Sequence, residues 1–249
     1  MKNSSNIKWQ LMLGSLLITL SVIIGVIHYE LFHDAHTFFF YLVMDLAFIP
    51  LEVLLVTLIL HNLLSSHEKR ALRQKLNMVI GVFFSDVGTS LLRDLSTMDA
   101  DVERIGSQLN ITGKWTNKDF DVVFTHLNSH HFKIQWNEEK FETMRSFLLE
   151  KRSFLLSLLE NPNLLEHQSF TDLLWAVFHL AEELGRRQTL VAIPQADRDH
   201  LCGDVKRVYK HVAIAWLEYM KHLKHNYPYL FSLAIRTNPF FESDVTVRQ

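Results

Sequence analysis

A single cysteine, Cys202, stands in the whole chain. That excludes an intramolecular disulfide framework and every zinc or iron–sulfur pattern built on paired cysteines, and it fits a reducing compartment for most of the protein. Glycine and proline are scarce, at 8 and 5 of 249 residues, while 48% of the chain is hydrophobic. So few turn-formers exclude an all-β fold and point to helices. Charge of one sign is also missing: 25 Lys and Arg face 27 Asp and Glu, a formal net charge of -2. No positive field draws in nucleic acid, and no nucleic-acid partner is expected. There is no glycine-rich phosphate loop, no G-x-G-x-x-G, no G-x-S-x-G and no H-E-x-x-H. A carboxylate-bridged di-iron bundle needs two Glu-x-x-His pairs, and the one such spacing is Glu30 to His33. The chain therefore reads as non-enzymatic, with no cofactor and no assigned metal.

What the sequence does have is two long apolar runs. From Trp9 to Ile27 there is no ionisable side chain, and at 1.5 Å per residue this run spans roughly 28 Å, the thickness of a bilayer's hydrocarbon core. It is longer than a signal-peptide core, and no small-residue cleavage site follows it. A second run extends from Thr37 to Leu60, with Phe38, Phe39, Phe40 and Tyr41 at its outer end, where bulky rings favour the interface. The sequence thus predicts transmembrane spans at about 9–28 and 37–63, joined by an outer loop at 29–36. Lys2 and Lys8 flank the first span and Lys69, Arg70, Arg73 and Lys75 follow the second, whereas the loop has neither Lys nor Arg. Positively charged flanks stay in the cytoplasm, so both termini are expected inside, in a multi-pass protein of the cytoplasmic or inner membrane.

The remainder, 66–249, reads as a cytoplasmic α-helical domain, and the fold class as all-α: a two-helix transmembrane hairpin (1–65) followed by a helical bundle of about four or five helices. Leu72, Leu76, Val79, Ile80, Phe83, Val87, Leu91 and Leu95 recur at helical spacing, giving one apolar face; Asn77, Ser85 and Asp86 interrupt the run, which favours an amphipathic helix over a third span. Asn117 is the expected cap of a helix through about Leu127. FKIQW (132–136) alternates as a short strand would. A helix is expected from Asn137 to about Glu160, another from Thr171 through LLWAVFHLAEEL as the central helix, and a last long one from about Asp197 to His225.

Asp45 and Glu52 are the most informative residues, because they lie inside the second span with no Lys or Arg in either span to neutralise them. An ionised carboxylate there costs at least about 2.5 to 3.5 kcal/mol. Seven residues apart, they share nearly one helix face, about 10 Å apart in depth. Pro50 lies between them and removes a backbone donor, leaving the Leu46 carbonyl open to another partner. Two readings follow: a proton or cation path, or an interhelix contact that fixes packing. A path requires oligomerisation, and Gly14, Ser21 and Gly25 on the first span form a stripe of small residues that lets helices approach closely.

Histidine is abundant, with 14 residues. His28, His33 and His36 fall in the outer loop with Glu30 and Asp34, His126 and His130 share a helix face beside His131, and His211, His222 and His225 read as surface residues of the last helix. His179, next to Glu182 and Glu183, reads as a buried core histidine. Cys202 lies between His200 and Asp204, but residues two apart on a helix face different ways, so no Cys–His nucleophile is expected. The function expected is a homo-oligomeric membrane protein, in contact with the lipid bilayer, whose cytoplasmic domain binds a protein partner or a small-molecule ligand. A small proton- or cation-conducting assembly is the alternative.

Overall fold

A computed structural model describes residues 2–164, 167–241 and 246, with side chains for all of these except 2–7, 62–74 and 163. Lys2, Lys69, Arg70 and Arg73, on which the expected orientation relies, lie outside the described side chains. The chain divides into two compact units, Met1–Glu68 and Lys69–Gln249.

The first unit holds α1 (Lys2–Phe32) and the residues up to Glu68 of α2 (Ala35–Phe83), which runs through Pro50 without a break. The eight-residue loop expected at 29–36 contracts to His33 and Asp34. His33 takes a left-handed conformation, φ 51°, and the Asp34 carboxylate accepts from Thr37 N at 3.1 Å and Thr37 Oγ1 at 2.6 Å. This satisfies orphan donors at the start of α2 and lets both helices extend toward the turn. Two stretches, Lys8–Phe32 and Ala35–His61, are long and apolar enough to cross a membrane, and none of their most apolar residues is buried.

A third stretch, Lys75–Thr97, has sufficient length and composition, but 44% of its most apolar part is buried within the second unit. The reason is local. After α2 the chain makes one wide π-helical turn, Phe84–Gly88, and continues as α3 (Thr89–Thr97). Phe83, Val87, Leu91 and Leu95 are fully enclosed. Phe83 stands edge-on to Phe170 at 5.5 Å, and Phe84 stacks on Tyr219 at 5.2 Å. Gly88 makes this possible, since a Cβ there would lie 2.6 Å from both phenyl rings.

Then come α4 (Val102–Gln108), α5 (Asn117–Ser129), α6 (Glu138–Glu150), α7 (Arg152–Leu159), α8 (Gln168–Arg186), α9 (Gln195–Asn226) and α10 (Pro228–Arg236). The unit is built on α8 and α9: α6 and α7 pack on α8, while α3, α5 and α10 pack on α9. The expected central helix is α8, which buries Phe170, Leu173, Leu174, Val177, Leu180 and Leu184.

Several boundaries differ from expectation. The cap of α5 is Thr116, not Asn117, because Thr116 and Asp119 form a reciprocal capping box. The helix expected over 137–160 divides at Lys151 into α6 and α7. Thr171 lies within α8, where its hydroxyl donates to the Leu164 carbonyl at 2.8 Å. FKIQW forms no strand among the described residues. Ile134 makes one isolated antiparallel pairing with Asp99, and the Asp99 carboxylate accepts from Lys133 N at 3.1 Å, so a buried turn takes the pairing a second strand would have used.

Candidate functional site

Asp45 and Glu52 are both exposed on α2 and make no hydrogen bond or ion pair among the described residues. Whatever satisfies them in an apolar medium comes from outside one copy of the unit. The small-residue stripe lies along α1. A side chain at Gly14 would meet open space, Ser21 is exposed, and a side chain at Gly25 would touch the Phe38 ring at 3.6 Å. Gly25 therefore stands against the start of α2, half-buried.

The second unit holds an open cavity of 330 Å³ at the meeting of α2, α5, α8 and α9, within the range that takes a small organic ligand. Ile80, Phe120, Phe124 and Phe170 line it with apolar surface, and His167, Ser169, Glu218 and Lys221 place polar groups around it. Lys221 pairs with Asp121 at 2.7 Å. Partial withdrawal from water raises the pKa of the Glu218 carboxyl, against the lowering pull of His167 and Lys221. The Tyr219 phenol is pushed up by burial. Asn77 and Tyr219 also line an adjoining cavity of 580 Å³ on the side of Gly81 and His222. There the Asn77 amide lies 3.1 Å from His222 Nδ1, and burial lowers the His222 pKa. His222 is thus a half-buried wall residue rather than a surface one. The sequence shows these groups only as scattered polar positions on four helices.

The turn histidines do not converge. His28 packs between Phe32 and Phe38, and His33 stacks on Tyr29. Burial lowers the His130 pKa. Burial raises that of Cys202, which keeps it as a thiol at neutral pH. His179 is not buried: its side chain is 46% exposed and stands beside His200 and Asp204, with Nε2 3.6 Å from Asp204 Oδ2. The missed signal was a pair of i, i+4 spacings, His179 to Glu183 on α8 and His200 to Asp204 on α9.

A family described as the C-terminal helical domain of uncharacterized protein MJ1433 matches residues 72–236, and one described as the N-terminal helical domain of MJ1433 matches residues 2–64. The chain is 41% identical over 242 residues to the protein of that name from Methanocaldococcus jannaschii, with 97% of each chain covered. No solved structure matches it.

Proposed function

The chain belongs to the MJ1433 family, and on that footing we propose that it is a two-span membrane protein whose second unit is a cytoplasmic receptor for a small ligand. The membrane reading is supported by two apolar helices with no buried residue in their most apolar stretches, and its direction by the absence of Lys and Arg between them. The observation that carries the ligand reading is the 330 Å³ cavity, where phenylalanines form the walls and Glu218, His167 and Lys221 provide polar partners. That lining suits a molecule with a flat apolar body and one polar or charged group. Neither spans nor cavity implies chemistry, so the protein is read as a non-enzymatic receptor or scaffold.

The test is native mass spectrometry of the full chain purified from its own membrane. One small molecule per chain is expected in the wild type and none in Ala215→Trp, which fills the cavity wall. An unliganded wild type, or equal loading of both, refutes the reading.

The unpartnered Asp45 and Glu52 support a second reading, a conducting homo-oligomer in which these acids line a proton or cation path. Asp45→Asn with Glu52→Gln then abolishes flux into proteoliposomes while leaving assembly intact. Wild-type flux that survives both substitutions eliminates the path.

A further inference from the structure

The cavity where α2, α5, α8 and α9 meet has a surplus of negative charge. Its lining holds two carboxylates, Asp121 and Glu218, and one ammonium, Lys221. Glu218 and Lys221 stand three apart on α9 and share a helix face, where opposite charges commonly pair. Here they do not, because Lys221 Nζ reaches Asp121 on α5 at 2.7 Å instead. Glu218 is left without a hydrogen bond or ion pair among the described residues, and it is exposed, so a ligand can reach it from water. Other polar groups of the lining already have neighbours: His167 Nδ1 is 3.2 Å from Ser169 Oγ, and the Asn77 amide is 3.1 Å from His222 Nδ1. One carboxylate remains as the cavity's uncompensated charge.

The apolar part of the lining is largely aromatic. Phe120 and Phe124 come from α5, Phe170 from α8 and Tyr219 from α9, and three of these four rings are held by rings outside the lining. Trp115 stands edge-on to Phe120 at 5.0 Å, Phe83 edge-on to Phe170 at 5.5 Å, and Phe84 lies nearly parallel to Tyr219 at 5.2 Å. Side chains already fixed lose little freedom when a ligand settles among them. A neutral guest uses only the apolar area of such rings, whereas a cation is also attracted by the partial negative charge of their π faces. The free carboxylate and the rings therefore select the same guest. Given the receptor reading above, we propose that the ligand of this cavity is an organic ammonium ion, with its cationic nitrogen at Glu218 and its carbon body among Phe120, Phe124, Phe170 and Tyr219.

The electrostatics of Glu218 agree with this assignment. Partial withdrawal from water raises its pKa in spite of His167 and Lys221, the response of a carboxylate whose charge is incompletely balanced, and an ammonium group beside it acts in the opposite direction. An anionic guest is disfavoured twice. It would have to draw Lys221 away from Asp121, and it would then face two unpaired carboxylates. The ammonium group itself can belong to a free amine or to the headgroup of a membrane lipid, which present the same cationic nitrogen.

The experiment titrates the full chain in neutral maltoside micelles at pH 8, where an ordinary imidazole is uncharged, with three probes of one shape: phenethylamine, 2-phenylethanol and phenylacetate. Calorimetry should show phenethylamine binding at least about tenfold more tightly than either of the others. Glu218→Gln should remove that preference and leave 2-phenylethanol unchanged, and Phe124→Leu should weaken phenethylamine about two- to fivefold more than 2-phenylethanol. Both side chains are exposed, so helical circular dichroism should stay at the wild-type level. Loss of phenethylamine binding when phosphatidylethanolamine, but not phosphatidylglycerol, is added to the micelles assigns the ammonium to a lipid headgroup; binding that survives assigns it to a free amine, and either upholds the proposal. The proposal is overturned if 2-phenylethanol or phenylacetate binds as tightly as phenethylamine, if Glu218→Gln leaves phenethylamine binding unchanged, or if none of the three binds. The receptor reading is judged separately, by the ligand mass carried by the natively purified chain and lost in Ala215→Trp, so it can stand while the ammonium assignment falls.

Discussion

Gly88→Ala sets two physical effects of opposite sign against each other. Gly88 has ordinary helical angles, φ -62° and ψ -40°, so alanine costs nothing in backbone strain and would gain about 1 kcal/mol in helix propensity. Packing opposes this. The new Cβ would lie 2.6 Å from Phe83 Cε1, 2.6 Å from Phe84 Cδ1 and 2.9 Å from Phe84 Cε1, where carbon atoms prefer about 3.5 to 4.0 Å. Each ring must therefore withdraw by about 1 Å, and neither has room: both are at most 1% exposed, one held against Phe170 and the other on Tyr219. Overpacking of this kind costs about 1 to 3 kcal/mol and can exceed that where the core cannot yield, so a net loss of about 1 to 2 kcal/mol is expected. Gly203→Ala is the control. It lies exposed within α9 with nothing within 4 Å of a new Cβ, and should gain about 0.5 to 1 kcal/mol. Urea unfolding of the full chain in mild detergent, followed by helical circular dichroism, should place the midpoints in the order Gly203→Ala, wild type, Gly88→Ala. A Gly88→Ala protein as stable as wild type would refute the claim that the wide turn requires glycine.

Thr116→Ala removes one half of the α5 capping box and should cost about 1 kcal/mol in the same assay, whereas Asn117→Ala should change stability by less than about 0.5 kcal/mol. Hydrogen bonds from Arg187 hold the Asp197 and Glu183 carboxyls below their usual range. Folded values below unfolded ones mean that this stabilisation is complete above the ordinary Asp and Glu pKa values, about 3.9 and 4.3, and is lost as pH falls through the depressed native values; Arg187→Gln should make unfolding midpoints less sensitive to acid over that window. A reporter active only outside the cell should work when inserted beside Asp34, and one active only in the cytoplasm when fused after Gln249; the opposite result would overturn the inward orientation of both termini.

Much of this architecture was legible from the sequence because it depends on local properties. Two long apolar runs and the recurrence of Leu and Phe at helical spacing predict the paired apolar helices and the all-α second unit, since hydrophobic periodicity is set residue by residue. That periodicity, together with the interruptions at Asn77, Ser85 and Asp86, favoured an amphipathic helix over a third span at 76–95, and burial of Phe83, Val87, Leu91 and Leu95 places that apolar face inside the second unit. Only the tertiary structure decided the rest. The π-helical turn at Phe84–Gly88 depends on where Phe170 and Tyr219 arrive from distant helices, and the FKIQW segment lost its strand pairing to a single buried aspartate, Asp99. The contact between Gly25 and the Phe38 ring likewise depends on how α1 meets α2. The cavity brings His167, Ser169, Glu218 and Lys221 together from α9 and the start of α8 around walls from α2 and α5, and His179 left its expected place in the core to stand beside Asp204. Spacing along one helix determines which residues share a face. Which faces then meet depends on how whole helices pack, and that information lies in long-range contacts between apolar side chains rather than in any one segment.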